Sequence, residues 1–241
     1  MNRKLAVFLV ILIVLGCDQA LKVWVKLNMA YGSDISIIGK EFLKLHFVEN
    51  NGMAFGFSFG GEYGKLFLTL FRIVAVCGLG YFIKLLIEKK SSYGLIISFS
   101  LILSGALGNI IDSTFYGLIF SEAYHGGLAH FLPEEGGYAG LFHGKVVDML
   151  HVVLLRGSYP DWVPYLGNKP FLFFKPVFNI ADVAITAGVL NIIFFQRSFF
   201  KGEETSKSSE QEESSKSSEQ EENSKRIEQE QEEEESNRDE P

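Results

Sequence analysis

Pro176-Val177-Phe178-Asn179-Ile180-Ala181-Asp182-Val183-Ala184-Ile185 opens the last apolar segment of the chain. Asn179 and Asp182 stand three apart, so a helix over this stretch places both on one face. The residues that follow, Val189 to Phe195, are apolar enough to cross a bilayer. A carboxylate inside a membrane span costs several kcal/mol, which makes Asp182 a functional residue by default. No basic residue lies within a helical turn to neutralise it.

Working outward, three more apolar segments precede this one. The expected spans are residues 5–25, 65–87, 93–111 and 177–196, each close to the roughly 20 residues that cross a ~30 Å hydrocarbon core. Arg3 and Lys4, then Lys84, Lys89 and Lys90, then Arg197 and Lys201 carry the flanking positive charge. With four spans all three clusters fall on one side, and the positive-inside rule makes that side the cytoplasm. The expectation is a multi-pass protein of the cytoplasmic (inner) membrane with both termini inside. Val14-Leu15-Gly16-Cys17 also reads as the lipid-modification site of a lipoprotein, but the later spans make the chain an integral membrane protein either way.

The parts left outside are residues 28–64 and 112–175. In the first, Ile35 to Ile38 and Phe42 to Val48 read as strands leading into a Gly-rich bend. The second is rich in Gly, Pro, His and aromatic residues and is too long for an idle connection. The fold class is therefore integral membrane and mainly α: four transmembrane helices, a small extracytoplasmic β-sheet and a long inserted loop. Residues 1–202 form the membrane domain.

Residues 203–241 carry 16 acidic and 5 basic side chains, a net of −11 against −7 for the whole chain, so residues 1–202 hold about +4. The acidity belongs to the tail and says nothing of a substrate. Ser-Lys-Ser-Ser-Glu-Gln-Glu-Glu occurs at 206–213 and again at 215–222, a low-complexity repeat expected to be a disordered cytoplasmic extension. Cys17 and Cys77 both fall in apolar segments and read as buried free thiols rather than a disulfide. Nothing suggests nucleic acid as a partner, and without an interface signature a monomer is the default.

Depth then links the polar residues. At 1.5 Å per residue, Asp18 lies roughly 20 Å up the first helix, about 10 Å below the outer face. Asn109 lies about 21 Å along the outward-running third helix, and Asp182 roughly 8 Å below the same face. Three helices thus bring polar groups to one level in the outer leaflet. Asp18 and Lys22, four apart, form a self-neutralising pair that braces the site. Asp112 shares a helix face with Asn109, beside Ser104, Gly105 and Gly108, which permit close packing.

Asp148 stands in His143-Gly144-Lys145-Val146-Val147-Asp148-Met149-Leu150-His151, an acid amid apolar neighbours. Two carboxylates in a low-dielectric site do not both ionise readily, so one keeps its proton and the pair supplies an acid and a base. Aspartic proteases activate water against an amide in this way, and Asn side chains beside the pair would orient a peptide or a carboxylate.

With these residues laid out, the chain resembles lipoprotein signal peptidase (signal peptidase II), the bacterial membrane aspartic protease. Five patches in order carry the likeness. Asp18-Gln19-Ala20-Leu21-Lys22 looks like the family's Asp-Gln-x-x-Lys, and Asn50-Asn51-Gly52-Met53-Ala54-Phe55 its Asn-x-Gly-x-Ala-Phe. Gly105 to Asp112 looks like Gly-x-x-Gly-Asn-x-x-Asp, Val146-Val147-Asp148-Met149 the family's Val-Val-Asp patch, and Phe178-Asn179-Ile180-Ala181-Asp182 its Phe-Asn-x-Ala-Asp. The resemblance implies catalytic aspartates at Asp148 and Asp182. It implies Asn50, Gly52, Asn109 and Asn179 around the substrate or the pair, with Asp18, Lys22 and Asp112 in support. It also implies strands around Asn50 over a site at the outer face. The substrate would be a prolipoprotein carrying diacylglyceryl on its lipobox Cys, met in membrane lipid and cut N-terminal to that Cys, with no cofactor.

Two departures stand out. The family's Asp-Arg is Asp112-Ser113 here, so a guanidinium is missing from the site or comes from elsewhere. The spacings 148 − 112 = 36 and 182 − 148 = 34 are longer than the family suggests, with insertions at 122–144 and 156–168. The first insertion and its flank hold His125, His130, His143 and His151 with Glu122, Glu134 and Glu135, a competing zinc reading that matches no metal-binding spacing. A third reading makes the aspartates mere helix glue, in which case Asp182→Asn would be silent.

Overall fold

The computed structural model describes residues 2–37, 42–51, 61–123 and 127–196. Gly52, His125, Ile38 and the expected tail at 203–241 lie outside the described residues. The chain divides into a compact unit of Met1–Ile192 and a second of Ile193–Pro241, of which only residues 193–196 are described.

The helices form where apolar residues run unbroken. Helix α1 spans Arg3–Asn28 and begins at Asn2, whose side chain accepts the Lys4 N–H and so satisfies one orphan donor of the first turn. Helix α2 is Gly61–Glu88, and α3 is Tyr93–Ile111, capped by the Ser92 side chain on the Leu95 N–H. Helix α3 continues through a π turn, Asp112–Tyr116, into the short α4, Gly117–Ile119. The last helix, α5, is Ile180–Phe195.

Two expected spans need correction. The third was placed at 93–111 with a loop from residue 112, but the helical course runs on to Ile119. The apolar stretch after Asp112, Phe115 to Ile119, keeps the backbone helical past the buried acid. The fourth was placed at 177–196. Val177–Phe178 instead forms a strand, so α5 has 16 residues. At 1.5 Å each it is about 24 Å long, short of a full ~30 Å crossing. Among the described residues three helices are long and apolar enough to cross a membrane, and α5 is a shorter apolar helix. Cys17 and Cys77, expected to be buried, are exposed free thiols on the apolar surfaces of α1 and α2.

A small antiparallel sheet has the strand order β1-β2-β3-β6. Here β1 is Asp34–Ser36, β2 Leu43–Asn50, β3 Val146–Val152 and β6 Val177–Phe178. A separate hairpin pairs β4, Leu155–Ser158, with β5, Pro170–Phe173. The 112–175 stretch, expected as loop, thus supplies three strands. On β2 and β3 the alternate residues Leu45, Phe47, Val147 and Met149 are buried against Val25 and Met29 of α1 and Tyr116 and Phe120 of the α3 extension. That pleat sends Asp148 to the opposite face, where Asn50 and Asn179 reach it.

The helices approach closely at glycines. A Cβ on Gly108 would stand 2.6 Å from Asp18 Oδ2 and 3.3 Å from the Ala181 Cβ. One on Gly105 would strike the Ala181 carbonyl and stand 2.7 Å from Ile185 Cγ1. Gly105→Ala is therefore expected to push α5 off α3 and cost about 1–3 kcal/mol. A melting midpoint in detergent equal to wild type would refute that packing. Deeper in, Asn191 of α5 donates to Ser98 Oγ of α3 at 2.6 Å.

Candidate active site

The first turn of α5 is built by its own sequence. Asn179 precedes the helix, and its Oδ1 accepts the Asp182 N–H at 2.9 Å. Asp182 Oδ2 in return accepts the Asn179 N–H at 3.3 Å. This is a reciprocal capping box, with Asn and Asp in the roles usually taken by Ser/Thr and Glu. Asn179 and Asp182 were expected to share a helix face; Asn179 is instead the cap, and the three-residue spacing serves the box. A further N–H of the same turn, that of Ala181, donates to Asp18 Oδ1 of α1 at 2.9 Å. The positive end of α5 is thus held by a carboxylate from another helix.

Strand β6 brings this cap to Asp148. Its pairing sets Phe178 opposite Leu150 and Val177 opposite His151. The next residue, Asn179, then lies beside Asp148, and its Nδ2 donates to Asp148 Oδ1 at 2.7 Å. Asn50 reaches the other oxygen, donating to Oδ2 at 3.2 Å. Val48 pairs with Asp148, so Asn50 is the diagonal neighbour on the same sheet face.

Lys22 organises the rest. Its buried ammonium lies 2.9 Å from Asp18 Oδ2, 2.8 Å from Asp112 Oδ2 and 2.9 Å from Asn109 Oδ1. An ammonium has three donors and no acceptor, so all three are engaged and Asn109 must turn its oxygen toward Lys22. Its amide nitrogen is then forced the other way, donating to Asp182 Oδ1 at 3.0 Å. Asn179 Nδ2 also approaches Asn109 Oδ1 at 3.1 Å. Asp112 is locked by Gln19 Nε2 at 2.9 Å and the Val147 N–H at 3.2 Å, the latter tying α3 to the strand of Asp148.

One hydrogen-bond network therefore joins Asp18, Lys22, Asn50, Asn109, Asp112, Asp148, Asn179 and Asp182, drawn from α1, α3, the π turn, two strands and α5. Asp148 is nearly buried, at 5% exposure, while Asp182 is half-buried. Burial, and then the neighbouring Asp182 charge, push the Asp148 carboxyl up to about 7, against the opposing effects of Asn50, Lys22 and Asn179.

Position 113 brings no charge. The Ser113 hydroxyl donates to the Asn109 carbonyl at 2.9 Å. Sequence reading passed over Arg72, a half-buried guanidinium inside α2. Its signal was available, since a guanidinium within an apolar span is rare. Gln19 was likewise read only as part of a motif, yet it links Asp112 to the Tyr116 hydroxyl at 3.1 Å. Among the described residues His143 Nδ1 faces the Leu141 carbonyl, His151 lies on β3, and no three His, Cys, Asp or Glu form a metal-sized group.

The signal peptidase (SPase) II family matches residues 10–199 of this chain. The lipoprotein signal peptidase of Porphyromonas gingivalis is 44% identical over 193 residues, which is 80% of this chain and 82% of that protein. The lipoprotein signal peptidase of Amoebophilus asiaticus is 44% identical over 184 residues, 75% of this chain and 73% of its own length. A solved bacterial membrane enzyme structure at 2.3 Å resolution matches the fold with a TM-score of 0.51 and 24% identity, over 80% of this chain and 87% of that one.

Proposed function

This chain belongs to the signal peptidase II family of bacterial membrane aspartic endopeptidases, and from that membership we propose that Asp148 and Asp182 are its catalytic pair, cutting diacylglyceryl-modified prolipoproteins N-terminal to the lipidated Cys. The observation that carries the reading is the single Asn179 side chain that binds Asp148 through its nitrogen and caps Asp182 through its oxygen. Two acids held by one amide, one nearly buried and one half-buried, are the unequal environments that divide acid from base.

Asp182 as carboxylate takes a proton from water while the oxygen adds to the scissile carbonyl carbon. Protonated Asp148 gives its proton to the carbonyl oxygen, forming a neutral gem-diol. Collapse breaks the C–N bond as the proton held by Asp182 passes to the leaving amine, and a diol proton returns to Asp148. Water is consumed and no covalent enzyme intermediate forms. Asn50, Gly52, Asn109 and Asn179 orient peptide and carboxylates, while Asp18, Lys22 and Asp112 support them.

The charge clusters at Arg3–Lys4, Lys84–Lys90 and Arg197–Lys201 support both termini inside and the site at the outer face, within the membrane domain of residues 1–202. There the lipidated Cys of a substrate sits at the depth of the aspartates. The enzyme acts as a monomer, in contact with lipid and without a cofactor, and the acidic tail stays in the cytoplasm.

The test is cleavage of a purified, diacylglyceryl-modified prolipoprotein with mass analysis of the product, with and without EDTA, between pH 5 and 9. The expected product begins at the lipidated Cys, EDTA has no effect, and kcat/KM falls as pH rises past about 7, where Asp148 loses its proton. Loss of cleavage in EDTA would return the histidine insertion to consideration. A rate still climbing at pH 9 would remove Asp148 as the acid.

A further inference from the structure

Between β3 and β6 the chain builds an element that the network around the aspartates does not use. Strands β4 and β5 pair with each other in a sheet of their own, and no other described helix or strand makes more than marginal contact with them. Their register sets Leu155 opposite Phe173 and Gly157 opposite Phe171, so these four share one face of the ribbon. The Phe171 ring lies over Gly157, where a Cβ would stand 2.7 Å from Phe171 Cε1, and its centroid is 5.3 Å from that of Tyr159. The opposite face holds Arg156 with Leu172 and Ser158 with Pro170. One side of the ribbon is therefore wholly apolar and aromatic.

That side is open. Leu155 is 61% exposed and Phe173 54%, and the flanking and tip residues Leu154, Trp162 and Tyr165 are 60%, 81% and 95% exposed. Large apolar side chains left open over one short segment mark a surface that meets lipid or another molecule. Trp and Tyr are the side chains that settle where hydrocarbon gives way to water. The charge agrees: residues 154–175 hold Arg156, Lys169 and Lys175 against Asp161, 3 − 1 = +2, an excess that suits anionic headgroups. So does the position. Phe173 ends β5 four residues before β6 begins at Val177, and α5 begins at Ile180. With α5 about 24 Å long against a ~30 Å core, the root of the hairpin lies at the membrane surface rather than above it. It joins, through β6, a helix whose own Val183, Val189 and Leu190 are exposed.

We propose that the β4–β5 hairpin is a membrane-surface anchor. Its apolar face and the rings of Trp162 and Tyr165 lie in the bilayer interface at the start of α5, with the exposed Lys169 and Lys175 on anionic phospholipid headgroups. The ribbon leaves the strand of Asp148 and returns into the strand before Asn179, so its docking fixes the level of both against the bilayer. This role is independent of which residues carry out cleavage.

Trp24 and Trp162 are the two tryptophans of the chain, so Trp24→Phe makes Trp162 the reporter. The full-length variant is placed in nanodiscs of phosphatidylcholine and phosphatidylglycerol, which leave both membrane faces open to solution. Its emission is read with lipids brominated at shallow acyl positions and with acrylamide in the water. Brominated phosphatidylglycerol is expected to quench Trp162 by about half, and more than brominated phosphatidylcholine at the same mole fraction. Acrylamide quenching is expected to be about threefold or more weaker than for free tryptophan amide. Lys169→Gln with Lys175→Gln is expected to erase the preference for the anionic lipid and leave the shielding. Free quenching by acrylamide with no response to brominated lipid overturns the anchor. Shielding seen only with two copies in a disc, or only after a soluble prolipoprotein peptide is added, gives the face to a second copy or to substrate and overturns it as well. Equal quenching by the two lipids overturns the part given to the lysines. If Trp24→Phe does not fold, the difference between wild type and Trp162→Phe isolates the same signal.

Discussion

Asp148→Asn is expected to abolish turnover and also to stabilise the folded protein above neutral pH. The first effect follows from the proton that Asp148 is proposed to give the carbonyl oxygen, which an amide has no means to exchange. A loss of about 10³-fold or more is expected, and Asp182→Asn is expected to match it because the two act as a unit. The second effect follows from linkage. Asp148 is 5% exposed and its carboxyl is pushed from 3.8 to about 7. A carboxyl raised in the folded state resists ionising there, so its contribution to stability is full below pH 4 and is lost as pH rises through about 7. An uncharged Asn escapes that loss. Its stability relative to wild type should therefore grow by about 2–3 kcal/mol between pH 5 and pH 8. Thermal or denaturant unfolding in detergent at the two pH values measures the difference. A variant whose advantage is flat with pH would contradict a raised Asp148, and an active variant would end its catalytic role.

Lys22→Met should fail differently, in structure and chemistry together. Lys22 is fully buried between Asp18, at 1% exposure, and Asp112, at 0%. Removing one member of such a buried cluster leaves its counter-charges unpaired, which typically costs 3–5 kcal/mol. Asn109 also loses the partner that dictates its orientation, so its nitrogen is no longer committed to Asp182. The expected result is a large fall in stability and little turnover. Adding Asp112→Asn to Lys22→Met should recover part of the stability by removing one stranded charge, without restoring the rate. Unfolding and cleavage measured on both proteins test this. A Lys22→Met protein within about 1 kcal/mol of wild type would show that the cluster is not the keystone of the helix packing.

The site was legible because bilayer physics makes intramembrane polar residues rare. Asp18, Asn109 and Asp182 could be set at one level from helical rise alone, and all three enter one network in the structure. Asp148 was harder to place, since a lone acid in a long inserted stretch has no periodicity to fix its face; the strand pleat of β3 does so. Asn179 and Asp182 were correctly grouped but for the wrong reason, because a spacing of three suits both a helix face and a capping box. Arg72 was missed because α2 carried no motif to draw attention to it. The third and fourth spans were misjudged at their ends, where the hydropathy of Phe115 to Ile119 and of Val177–Phe178 does not distinguish helix from strand or loop.

The amino-acid sequence by itself determined the membrane character, the apolar bodies of the helices and the grouping of Asn179 with Asp182. These depend on local composition and on spacings of three or four residues. Only the tertiary structure decided that Asp148 and Asp182 share one amide, that Lys22 dictates which way Asn109 turns, and that the Asp18 carboxylate of α1 meets the first turn of α5. Those relations join residues 31 to 163 positions apart, as Asn179 with Asp148 and Ala181 with Asp18. They depend on the β3–β6 pairing and on glycines that let helices touch. Contacts between distant segments are set by packing and hydrogen-bond geometry in three dimensions, and no local pattern in the chain encodes them.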